Sequence, residues 1–341
     1  MGGELKFNFQ ATGIGSVPFK DPKQACRVIF NNFESIPFWP QLPKRSFLES
    51  MYVQYSESLP GLVIDDKDKT IHIDSSRAIS DIETVYGKYL ERDIDFFKIS
   101  EDHAEGFYEF LASAPSSCKS AEFVKGHITG PISFALSVTD ENKVSIIYNK
   151  DVFEVLVKVL SMKAAWQIRR LKAINPNVII FIDEPYLVSI GSSYVNIDVK
   201  DAMEKLDEVI AAVKAEGALA GVHCCGNTDW PLMLKRDMDI LNFDAYNFTK
   251  EFSLYSAELS LFLKRGGSIA WGVLPSSDAA DNETADSLKK RLNGYLDIFA
   301  GKGIDRSDIS SMITPSCGVG TLDEARAEKI FGFAKELSGK F

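Results

Sequence analysis

The chain is poor in histidine, with four among 341 residues, and its five cysteines are an odd, scattered set. Such a set does not make the paired framework of a disulfide-stapled secreted domain, which turns attention to metal-binding or nucleophilic roles in a reducing compartment. Runs of Lys and Arg are missing, and 38 basic against 48 acidic residues leave a formal net charge of −10. That balance argues against nucleic acid and against an anionic membrane surface as partners. No apolar run approaches the ~20 residues needed to cross a bilayer; the densest, Val178 to Ile182, is five long. The opening MGGELKFNFQ places Glu4 and Lys6 where a signal peptide would need an apolar core, so a cytoplasmic location is expected. What is present, 45% hydrophobic and 25% charged residues, belongs to an ordinary globular protein, long enough for two domains or one large α/β barrel.

From about residue 120 onward, short β-branched runs alternate with amphipathic helical segments. The runs are FVKGHI (Phe123–Ile128), VIIFI (Val178–Ile182), ALAGV (Ala218–Val222), DILNF (Asp239–Phe243), SIAWGV (Ser268–Val273) and ISSMIT (Ile309–Thr314). Runs apolar on both faces, separated by helices, read as buried parallel strands of βαβ units. The first third adds ATGIGS (Ala11–Ser16) and SIPFW (Ser35–Trp39), the latter compromised as a strand by Pro37. Eight strands predict an α/β fold of the (β/α)₈ TIM-barrel type, and no GxGxxG fingerprint favours a dinucleotide-binding sheet instead. Residues 40–120 read as an insertion between early strands, with a hairpin over Leu62–Asp74 and helices at Ile79–Leu90 and Ala104–Ala112. The whole, residues 1–341, reads as one domain.

Catalytic groups of such barrels sit at the C-terminal ends of the strands. There the sequence places Gly15-Ser16, Asp183-Glu184-Pro185, His223-Cys224-Cys225-Gly226, Asp244 and Ser316-Cys317-Gly318. One imidazole and two thiolates form a soft set suited to tetrahedral Zn²⁺, with Zn–S near ~2.3 Å. Alternation along a strand turns His223 and Cys225 to one side and Cys224 to the other. Cys317 then arrives from the last strand, and Asp244 supplies a short carboxylate for a displaceable fourth ligand or a supporting partner. Any one of these cysteines, taken alone, reads more readily as a small buried hydrophobe; their joint placement at strand ends is what reads as a site.

The stretches GVHCCGNTDW (Gly221–Trp230), IDEP (Ile182–Pro185), TPSCGVGT (Thr314–Thr321) and TGIGSVP (Thr12–Pro18) resemble the catalytic barrel of cobalamin-independent methionine synthase. HCCGNT and KGHITGP (Lys125–Pro131) also resemble the corrinoid:thiol methyltransferases of the uroporphyrinogen decarboxylase-like superfamily. The resemblance spans nearly the whole chain in order. It implies a barrel with zinc held by His223, Cys225 and Cys317, and methyl transfer to a thiol such as homocysteine or coenzyme M. It also implies that Asp183 faces the amine of an amino-acid thiol and that Ile14, Gly15 and Ser16 line the pocket for its carboxylate. The methionine synthases have Glu where this chain has Asp244, one methylene shorter. The long ones also use a second, N-terminal barrel for polyglutamylated folate. Methylcobalamin, free or on a corrinoid protein, therefore stands beside methyl-tetrahydrofolate as the donor.

Asp183 and Asp244 are thus the candidate catalytic carboxylates, with Glu184 grouped beside Asp183 among substrate-binding groups. As neighbours on an extended chain, Asp183 and Glu184 point oppositely and are not a shared-proton dyad. His127 lies near a strand end, where it reaches the mouth or bonds a neighbouring loop. His72 and His103 read as surface residues, Cys26 and Cys118 as structural, and Phe38, Trp39 and Pro40 as a loop packed on the core or a wall of the donor site. Two other readings compete. A metal-independent decarboxylase acting on an acidic tetrapyrrole wants clustered arginines, whereas Arg27, Arg45 and Arg77 are scattered. A zinc- or corrinoid-binding module without turnover predicts a metal saturated by protein ligands.

Overall fold

A computed structural model describes residues 6–192 and 195–341. Among the described residues, seven strands form one parallel sheet in the order β1-β10-β9-β8-β7-β6-β4: β1 Asn8–Ala11, β4 Val124–Thr129, β6 Val178–Asp183, β7 Leu219–Cys224, β8 Ile240–Phe243, β9 Ser268–Leu274 and β10 Ser310–Pro315. The sheet is curled into a barrel-like wall, and helices pack on its outer face. Three further strands make a small separate sheet: β2 Leu62–Asp65, β3 Thr70–Ile73 and β5 Thr139–Asp140. No helix among the described residues is long and apolar enough to cross a membrane.

Two expectations about the first third need correction. The first strand lies earlier than ATGIGS, at Asn8–Ala11, and residues 12–16 continue past its C-terminal end. The second expected strand, Ser35–Trp39, does not form a ladder. It runs beside β4 through Lys125 N–H to Pro37 O (2.9 Å) and Trp39 N–H to Lys125 O (3.2 Å), with Phe38 and Lys125 forming an isolated parallel bridge. On the β1 side, the hydroxyl of Thr12 donates to Ile36 O at 2.9 Å. Pro37 has no N–H to offer either neighbour, so the eighth position is occupied by an extended segment rather than a strand. The ring of Phe38 fills the space a side chain at Gly13 would need, 2.3 Å from an ideal Cβ.

The expected hairpin is present as β2 and β3, paired antiparallel. The helices after it span Ser75–Leu90 and Glu105–Ser117, and β5 extends this insertion sheet by pairing parallel with β3.

Alternation along the strands divides the residues into two sets. Val124, Ile128, Ile180, Ile182, Val222, Cys224, Leu241, Phe243, Trp271 and Ile313 join the core between sheet and helices. Phe123, Ile179, Phe181, Ile240, Ala270 and Met312 point the other way and pack together as an apolar floor inside the curl. By the same alternation the inward residues nearer the C-terminal ends are polar: His127, Thr129, Asp183, His223, Asn242 and Thr314. The curl is therefore apolar at its base and polar at its rim.

The outer core is anchored by aromatic packing. The Phe252 ring lies 4.4 Å from that of Phe243, 5.3 Å from Trp230 and 5.9 Å from Phe299. Replacing Phe252 with Ala leaves a cavity there and is expected to cost about 3–5 kcal/mol, measured as a lower denaturant midpoint with an unchanged slope.

Candidate metal centre

Parallel register sets the site. Thr129 pairs with Asp183, Asp183 with His223, and His223 with Asn242, so one inward row crosses four adjacent strands. His223 is buried. Cys225 follows one residue beyond β7, and Cys317 two residues beyond β10. Among the described residues, the ligand atoms of His223, Cys225 and Cys317 lie within 4.8 Å of one another, and no other group of three or more His, Cys, Asp or Glu side chains gathers in this way. Cys224 faces the outer core and its thiol meets Gly226 O at 3.6 Å.

The donor atoms suit a divalent cation. His223 Nε2 is shut off from solvent without a hydrogen-bond partner, while Nδ1 lies 2.5 Å from Asn242 Oδ1. An amide oxygen only accepts, so Nδ1 carries a hydrogen, and in the neutral ring the Nε2 lone pair is then the one facing the two sulfurs. The Cys317 thiol beside Cys225 pulls the Cys225 pKa down, with His223 assisting against burial. The same contact and burial drive Cys317 upward. Two sulfurs so placed hold one negative charge between them unless a cation joins them. For His223, burial pushes the imidazole down, but Cys225 and Asp183 outweigh it and leave the pKa above its ordinary value. Ligands sharing one ion stand roughly 3.5–3.8 Å apart, so only side-chain-scale adjustment separates this arrangement from a filled site.

The loop carrying Cys317 is braced on both sides. Ser276 Oγ donates to Cys317 O at 2.7 Å and accepts from Cys317 N–H at 3.1 Å. Val319 N–H donates to Ser16 O at 3.0 Å, which brings the 12–16 segment against the same loop. An ideal Cβ on Gly15 would stand 1.9 Å from the His127 ring, so a larger residue cannot replace it in this backbone. Ile14 is buried in the apolar floor, and its carbonyl accepts from Lys125 Nζ at 2.5 Å.

Asp183 lies at the rim with its Oδ1 enclosed and unpartnered. Burial raises its pKa to about 6, while His223 and Lys125 pull it back. Lys125 is fully buried, its ammonium 4.3 Å from the centre of the Phe181 ring. Burial lowers its pKa to about 7 and Asp183 opposes that shift. His127 is kept well below its ordinary pKa by burial and then by Lys125. The hydroxyl of Tyr55, from the insertion, donates to His127 O at 3.0 Å.

Two expected site carboxylates are used elsewhere. Glu184 points away from the rim. Its oxygens accept from Ile132 N–H (2.9 Å), Ser133 N–H (2.8 Å) and Ser133 Oγ (2.5 Å), capping the helix Pro131–Ser137. Expected beside Asp183 among the substrate-binding groups, Glu184 instead has its fully buried carboxylate engaged by three donors of this helix. Asp244 caps the helix Ala245–Phe252, accepting from Asn247 N–H (3.0 Å) and Asn247 Nδ2 (2.7 Å). It lies outside the gathered ligand atoms and stands near the cluster as a charge, not as a fourth member. His103, expected at the surface, is buried in the insertion with Nδ1 3.0 Å from Ser100 Oγ. Phe38 and Trp39 are buried in the core, and the Trp39 ring stands edge-on to His127 with centroids 3.9 Å apart.

Asn242, Lys125 and Tyr55 were not singled out from the sequence. Asn242 and Lys125 did leave a signal: Asn242 is the one polar inward residue of its run, and Lys125 shares the inward face of its run with His127. Tyr55 left none, because its place depends on how the insertion folds back. A cavity of about 560 Å³ lined by Lys6, Gly266, Asp308 and Ser310 opens at the other, N-terminal ends of the strands, the end that serves stability in such folds. Replacing Glu184 with Ala strands three donors and is expected to destabilise the protein by about 1–3 kcal/mol, read by thermal unfolding, while metal uptake measured by elemental analysis stays at the wild-type level.

No protein-family model and no curated protein matches the chain. Among solved structures, it is similar to a B12-independent methionine synthase from Shewanella sp. W3-18-1 in complex with selenomethionine. That match has 18% identity and a TM-score of 0.45, and covers 66% of this chain and 64% of that one. A hyperthermophilic beta-glucosidase from Pyrococcus furiosus matches at 12% identity and a TM-score of 0.37, covering 98% of this chain and 97% of that one. The matched part thus spans less than two thirds of the synthase chain, and at these TM-scores neither likeness carries an argument about activity.

Proposed function

We propose that the chain is a zinc-dependent S-methyltransferase, moving a methyl group from a methyl-corrinoid or methyl-folate donor to a thiol, with homocysteine as the first acceptor to test. The observation that carries this reading is the meeting of an unpartnered, buried His223 Nε2 with the thiols of Cys225 and Cys317. His223, Cys225 and Cys317 would hold the ion, which when bound supplies the Lewis acidity that keeps an incoming thiol deprotonated at neutral pH.

The chain's own groups then bind and orient. Asp183, with Oδ1 enclosed and free, offers an acceptor for the ammonium of an amino-acid thiol. The Ile14–Ser16 segment, wedged between His127 and the Cys317 loop, is the wall on which the carboxylate would rest. The apolar floor below keeps water from the reacting sulfur. In the transfer, a carbon–sulfur bond forms as the donor's bond to the methyl carbon breaks, the electron pair staying on the donor. Holding sulfur and methyl in line is the protein's main contribution, and positioning of this kind supplies up to ~7–11 kcal/mol. Asp244 contributes a nearby negative charge rather than a ligand. The decarboxylase reading gains nothing from the arginines: Arg27 and Arg77 are exposed, and Arg45 is paired with Glu49 and Glu105. A cytoplasmic location and one catalytic barrel domain over residues 1–341 belong to the same proposal.

The test is zinc analysis and X-ray absorption with and without homocysteine, together with an activity matrix of homocysteine and coenzyme M against methylcobalamin and methyl-tetrahydrofolate. An added sulfur ligand with thiol supports methyl transfer; an unchanged shell supports a module without turnover; metal-free active protein supports the decarboxylase. Cys225→Ser and Cys317→Ser are each expected to lose zinc and activity together, and full zinc with full turnover in either overturns the assignment. Asp183→Asn is expected to raise the KM for homocysteine with zinc content unchanged, and to leave the KM for the amine-free coenzyme M unmoved.

A further inference from the structure

We infer that Asn242 is a positioning residue of this centre: it selects the imidazole nitrogen of His223 that carries the proton, and it ties together the strands that deliver the ligands. The inference rests on the metal reading above and adds a residue outside the ligand set. Asn242 occupies an inward position of β8 and is fully buried. Its Nδ2 donates to Ala270 O at 2.8 Å and to Thr314 Oγ1 at 2.7 Å, and its Oδ1 faces His223 Nδ1 at 2.5 Å.

The orientation of the amide follows from its neighbours. Ala270 O is a backbone carbonyl and can only accept, so the NH₂ end must face it and the oxygen is left for His223. That oxygen also only accepts, so the ring is held with hydrogen on Nδ1 and a lone pair on Nε2, the form a metal ligand needs. With the amide flipped, two acceptors would oppose each other at Ala270, and the His223 lone pair would be used up on Asn242.

The same side chain spans the sheet. Its partners lie on β7 (His223), β9 (Ala270) and β10 (Thr314), and β8 and β9 separate β7 from β10. Thr314 stands three residues before Cys317. One amide therefore couples the backbone carrying His223 and Cys225 to the backbone carrying Cys317.

The experiment compares wild type, Asn242→Ala and Asn242→Asp as full chains with folding checked by circular dichroism. ¹⁵N-histidine NMR of the metal-free proteins, at a pH where the ring is neutral, reports the tautomer; competition with a chromophoric chelator reports Zn²⁺ affinity. In wild type the hydrogen of His223 is expected on Nδ1. In Asn242→Ala it is expected to move to Nε2 and Zn²⁺ affinity to fall about 10- to 100-fold. Asn242→Asp keeps an acceptor and is expected to keep the Nδ1–H tautomer, although its buried carboxylate opposes Ala270 O and lowers the melting temperature. A merely structural role would not split the variants in this way. An unchanged tautomer or unchanged Zn²⁺ affinity in Asn242→Ala overturns the inference, as does an Nε2–H tautomer in Asn242→Asp. If wild type takes up no Zn²⁺, the metal reading itself falls, while the tautomer comparison still decides whether Asn242 orients the ring.

Discussion

Side chains on a β-strand alternate between faces, and in a parallel sheet the register between neighbours decides which residues stand side by side. Here that register aligns Thr129, Asp183, His223 and Asn242 in one row above an apolar floor. Everything proposed about the site depends on it. A slip of one residue in β7 would turn Cys224 inward and send His223 and Cys225 into the outer core. The slip is opposed by Ala220, Val222 and Cys224, all buried in that core. The burial that stabilises the fold is thus the same burial that aims the imidazole.

Burial also shapes the chemistry of the row. Charges inside the curl are wholly or partly withdrawn from water, and each is shifted: Asp183 upward, Lys125 downward, Cys225 and Cys317 in opposite directions. The neighbouring strand-end carboxylates show the other solution. Glu184 accepts from the first turn of the earlier helix Pro131–Ser137 and Asp244 from that of the helix it precedes, where backbone N–H groups need acceptors. Asp183 and Glu184, adjacent in sequence, are separated in function by the alternation alone: one enters the site with an oxygen unpartnered, the other closes a helix.

The insertion is part of the site, not an appendage. It brings Tyr55 onto His127, and Trp39, just ahead of it, stands edge-on against the same ring, so an imidazole at the rim of the sheet is contacted by residues that precede its strand by many tens of positions. Burial, and then Lys125, keeps the His127 pKa well below its ordinary value, and the 12–16 segment is seated on its ring at Gly15.

Much was legible in the order of residues. Apolar runs between amphipathic segments determine where the six strands of the large sheet from Val124 onward lie, because a strand buried on both faces tolerates little else. The alternation rule separates Cys224 from His223 and Cys225, and the hairpin of the insertion is written in its charged tip. The sequence could not determine the eighth position, where Pro37 withholds a hydrogen bond and leaves one bridge, nor that Glu184 and Asp244 would serve helices, since a carboxylate at a strand end has two places to go. Tertiary structure alone decided the roles of Asn242, Lys125 and Tyr55. Their partners lie on other strands or in the insertion, and a hydrogen bond across a sheet has no spacing in the chain by which to announce itself.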